Sequence, residues 1–84
     1  MKSKREIYNN TVELIEKQEK ENYLVYYKMF LDNSGRHDIP TEEIEKIISE
    51  AYSTYKRQSE ELEEIRELAY LDLVTDNNGY NQAI

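Results

Sequence analysis

Residues 41–75 read TEEIEKIISEAYSTYKRQSEELEEIRELAYLDLVT, and this stretch decides the fold. Ile44, Ile48, Ala51, Tyr55, Gln58, Leu62, Ile65 and Ala69 follow one another at alternating intervals of four and three. On a helix of 3.6 residues per turn that spacing draws one nearly straight apolar seam, of the kind coiled-coil helices bury against a neighbour. Ile47, Tyr52, Leu68 and Leu73 flank the seam and widen it beyond the need of a two-stranded coiled coil. Gln58 is the one polar interruption, an amide of the sort that fixes register. At ~1.5 Å per residue the predicted helix is a rod of roughly 50 Å.

Working outward, Thr41 is the predicted N-cap, with Glu42 and Glu43 where the helix dipole favours negative charge. Pro40 disfavours helical geometry at Ile39, so the helix starts here. Upstream, Asp32-Asn33-Ser34-Gly35 reads as a stop, with Asn33 or Gly35 expected in the left-handed conformation that closes a helix. Before it, no glycine or proline interrupts the chain from Ser3 to Leu31. Apolar residues recur there at helical spacing, Tyr8, Val12 and Ile15 and then Tyr26, Met29 and Phe30. The intervening Lys17–Asn22 is wholly polar and either faces water for a full turn or marks a bend. Because these residues are good helix formers, a continuous helix is expected.

The predicted architecture is all-α and single-domain over 1–76: helix about 3–32, loop 33–40, helix about 41–75, then a flexible tail over 77–84. The loop length permits an antiparallel hairpin. The widened stripe exceeds what one partner helix covers, so the hairpin is expected to dimerise into a four-helix bundle. A bend near Glu19–Asn22 would give a compact three-helix bundle instead.

Composition narrows function. The 84 residues lack cysteine and hold a single histidine, His37, so disulfides, thiolate zinc sites and multi-histidine metal sites within one chain are excluded. The net charge is −7. It is unevenly spread: up to Leu31 five acids meet six bases, whereas Thr41–Asp76 holds eleven acids against four bases. Nucleic acid and anionic membrane should be repelled, and a basic protein surface is the expected partner. No apolar run approaches a membrane span of ~20 residues, and cytoplasmic residence is the expectation.

His37 has no positioned nucleophile beside it, and Ser34, Ser53 and Ser59 have no local base. No catalysis and no cofactor are therefore predicted. Candidate partner-binding residues are apolar (Ile47, Tyr52, Leu68, Tyr23, Tyr27 and Phe30) and acidic (Glu60, Glu63, Glu64 and Glu67, on one side of the second helix). Ile44, Ile48, Tyr55, Leu62 and Ile65 form the expected self-association seam as a homodimer. The function expected is that of a small protein-binding regulator or inhibitor, such as a phage or plasmid antagonist, an antitoxin or an immunity protein. An acidic DNA mimic and a structural spacer are the alternatives.

Overall fold

The computed structural model describes residues 2–75. The chain forms two helices, α1 (Lys4–Ser34) and α2 (Thr41–Thr75), joined by a short connector. They run antiparallel. Tyr8 stands opposite Tyr70, Tyr23 opposite Tyr55 and Tyr26 opposite Tyr52, with ring centroids 6.3, 5.8 and 5.7 Å apart. Each step forward along α1 is thus matched by an equal step back along α2. The radius of gyration is 19.4 Å, against about 12 Å for a compact domain of this length. The molecule is a ribbon two helices wide and one helix thick.

α1 is unbroken, which rules out the three-helix alternative. It starts at a capping box: the Ser3 hydroxyl accepts from Glu6 N–H at 3.1 Å, and Glu6 Oε1 accepts from Ser3 N–H at 3.3 Å. Its polar middle does not simply face water. Asn22 is 9 % exposed, and Glu19 reaches Arg66 of α2 at 3.1 Å. Lys4 and Asp72 pair across the open end at 3.2 Å.

The connector differs from expectation in three respects. α1 continues through Asn33 to Ser34. No described residue takes a positive φ, and Gly35 caps the helix at φ −105°. Closure comes instead from Asn33, whose Nδ2 donates to Met29 O at 2.8 Å while its Oδ1 accepts from Arg36 Nη1 at 2.9 Å. Side-chain bonding to the last turn removes the need for a left-handed residue. Finally, Pro40 rather than Thr41 occupies the cap: its carbonyl accepts from Glu43 N–H at 3.0 Å and Ile44 N–H at 3.2 Å. The tail expected over 77–84 lies outside the described residues.

The seam read from the sequence is real, but α1 closes it. Ile44 is 8 % exposed, and Ile48, Ala51, Tyr55, Leu62 and Ala69 are half-buried, in a fold where only α1 and the connector can cover them. As a self-association seam, Ile44, Ile48, Tyr55 and Leu62 are therefore already engaged; only Ile65 of that set is exposed. The resulting core is thin. Among the described apolar residues only Ile15 and Ile44 are buried, while Leu14 and Val25 are two-thirds exposed.

Candidate interaction surface

A ribbon of two helices has two flat faces, and here they differ in chemistry. With about 100° between successive residues, each helix presents one flank to each side of the seam. In an antiparallel pair, the flank reached by turning one way on α1 lies on the same side as the flank reached by turning the same way on α2. One side collects Tyr23, Tyr27 and Phe30 from α1 with Tyr52 and Tyr70 from α2. The other collects Ile7, Leu14, Val25 and Met29 with Ile47 and Ile65, and Leu68 lies at its edge. All of these except the half-buried Ile47 are exposed.

The aromatic face is built as a continuous run of ring contacts. Tyr23 and Tyr27 lie 6.0 Å apart with planes 10° from parallel, and Tyr27 and Phe30 follow at 6.5 Å and 6°. The i,i+4 and i,i+3 spacings place these rings over one another on the helix surface. Tyr26 and Tyr55 stack at 5.7 Å beneath them in the seam, and Tyr52 meets Tyr26 edge-on at 5.7 Å. Such rings combine large contact area with little conformational freedom to lose, and tyrosine adds a polar tip.

Toward the open end the same side becomes acidic. An open groove of about 600 Å³ is lined by Tyr8, Glu63, Arg66, Glu67, Tyr70 and Leu71. Arg66 is held between Glu19 at 3.1 Å and Glu63 at 3.5 Å. Glu60 and Glu64 continue the carboxylates outward from Glu63 and Glu67, and all four are exposed.

The candidate residues thus fall into two groups. Tyr23, Tyr27, Phe30 and Tyr52 share a side with Glu60, Glu63 and Glu67, which lie farther toward the open end; Glu64 turns to the outer edge. Ile47 and Leu68, also apolar candidates, belong to the opposite side. That side has its own open groove of about 290 Å³, whose lining includes Asn22, Val25, Met29, Thr54 and Gln58. The roles of Glu19, Arg66 and Tyr70 are not visible in the sequence, because each depends on a partner across the hairpin.

In the connector, Arg36 grips Asp38 through Nε–Oδ1 at 2.9 Å and Nη2–Oδ2 at 2.6 Å. This hydrogen bonding, with the attraction of Asp38 and Glu43, raises the Arg36 pKa, and the bond from Arg36 holds the Asp38 carboxyl below its ordinary value. His37 beside them is exposed. Among the described residues no cluster of histidine and carboxylate side chains is placed to hold a metal ion, and no helix is long and apolar enough to cross a membrane. No known protein family, characterised protein or solved structure matches the chain.

Proposed function

We propose that the chain is a small, non-catalytic regulator that binds a protein through its aromatic face. One observation carries this reading: exposed, mutually stacked rings are followed by exposed carboxylates on one side of a pair of helices. Rings and carboxylates together suit an arginine-bearing, basic protein segment. The guanidinium stacks on an aromatic face while its N–H groups pair with a carboxylate. Stoichiometric occupation of such a segment would inhibit or hold the partner without any chemical step.

The test compares affinity capture by the wild-type chain with capture by Tyr27→Ala, Glu63→Lys and Val25→Ser variants in the native cell. A partner with a basic surface, held by the wild type and Val25→Ser but lost with Tyr27→Ala and Glu63→Lys, supports the reading. A partner indifferent to both aromatic-face changes overturns it. The nucleic-acid-mimic alternative uses the carboxylates alone. It requires binding that collapses with salt and ignores Tyr27→Ala.

A further inference from the structure

We infer that a second copy of the chain covers the aliphatic face, related by a two-fold axis parallel to the helices, with α1 of each copy on α2 of the other. The inference is independent of the partner proposed above, because it concerns the opposite side of the ribbon.

The first reason is the thinness of the fold. With Ile15 and Ile44 alone buried among the described apolar residues, the hairpin has little core to offset the cost of ordering its chain. The aliphatic face measures roughly 50 by 20 Å, about 1,000 Å², which meets the ~800 Å² per partner of a stable interface.

The second reason is the amide belt in the middle of that face. Asn22, 9 % exposed, accepts from Gln18 Nε2 at 2.8 Å, yet its Nδ2 has no acceptor among the described residues. Gln58, half-buried in the same groove, likewise has no hydrogen-bond partner there. Buried amides left unpaired are costly, and a copy laid against this face brings matching amides to the same level.

The third reason is charge, and it selects the axis. The register fixed by the tyrosine pairs places Lys17 level with Glu61, Glu21 level with Arg57, and Lys28 level with Glu50. All six side chains lie on the outer border of the aliphatic face, on opposite edges of one ribbon, too far apart to meet within it. An axis along the helices brings each edge onto the other at unchanged level. Lys17 then meets the partner's Glu61, Glu21 the partner's Arg57, and Lys28 the partner's Glu50, three matched pairs on each side of the assembly. Among the described residues only Lys28 has an ion pair already, with Asp32 one turn along its own helix at 3.1 Å. An axis across the helices would instead stack α2 on α2 and oppose its excess of carboxylates.

The chain has no cysteine, which makes the test clean. Full-length Lys17→Cys and Glu61→Cys variants are oxidised separately and as a mixture, with helical content checked by circular dichroism. The expected result is a disulfide-linked dimer in the mixture and little in either variant alone. In light scattering, Lys17→Glu should weaken association about tenfold, for two lost pairs, and adding Glu61→Lys in the same chain should restore it. Self-linking of Lys17→Cys alone, failure of the double variant to recover, or a monomeric mass at the highest soluble concentration would overturn the inference.

Discussion

Ser3 shows how much local structure a single hydroxyl sets. Its Oγ satisfies one of the orphan N–H groups at the start of α1, and the Glu6 carboxylate answers with a bond to the cap itself. Ser3→Ala should lower stability by about 1 kcal/mol, read from denaturant unfolding. Gly35 points the other way. Its φ is negative and a Cβ there would meet nothing within 4 Å. Gly35→Ala should therefore stabilise the protein, by about 0.5 kcal/mol, by restricting the unfolded chain. A loss of stability would show that the connector uses a conformation only glycine allows. Asp38 gives a pH prediction. Its folded pKa is depressed, so the Arg36–Asp38 contact contributes fully above the ordinary aspartate range and is lost as pH falls through the lowered value. A carboxyl NMR titration should place the Asp38 midpoint below that of an unstructured aspartate, and Arg36→Gln should move it back toward the ordinary range.

At the scale of the element, the two helices differ in how openly they declare themselves. α2 carries its inner face as a run of apolar residues from Ile44 to Ala69, so its helix, its seam and its direction of packing can be read directly. α1 hides its own. Its inward positions include Glu19 and Asn22, while Leu14 and Val25 lie exposed on its flank. Sequence periodicity ranks side chains by hydropathy, and a seam that pairs Glu19 with Arg66 is invisible to it. The same limit keeps the sequence from dividing Ile47 and Leu68 from the tyrosines: which flank a residue occupies is local, but which flanks share a side depends on how the helices pair. The Ser3-x-x-Glu6 signature of the capping box, by contrast, is local and legible in the sequence. Asn22 also yields a prediction. Asn22→Leu should raise the thermal midpoint, since apolar packing replaces a buried amide, while broadening the distribution of assemblies seen in sedimentation velocity. Unchanged homogeneity would deny the amide a part in specifying the arrangement.

For the whole molecule, the ratio of surface to interior governs behaviour. A ribbon one helix thick leaves Ile7, Leu14, Val25, Ile65 and Leu68 in contact with water. Such a fold should gain stability from its own concentration: the thermal midpoint should climb by several degrees over a hundredfold increase in protein, as mass action requires of an associating chain. A midpoint independent of concentration would mean that the hairpin stands alone. The arrangement of unlike chemistries back to back has one more consequence. When two ribbons meet along their aliphatic sides, their tyrosine sides look outward in opposite directions. A dimer built that way would be bivalent, able to bridge two target molecules or to grip a repeated one with avidity, and a divalent grip of this kind would turn modest single-site affinity into slow release.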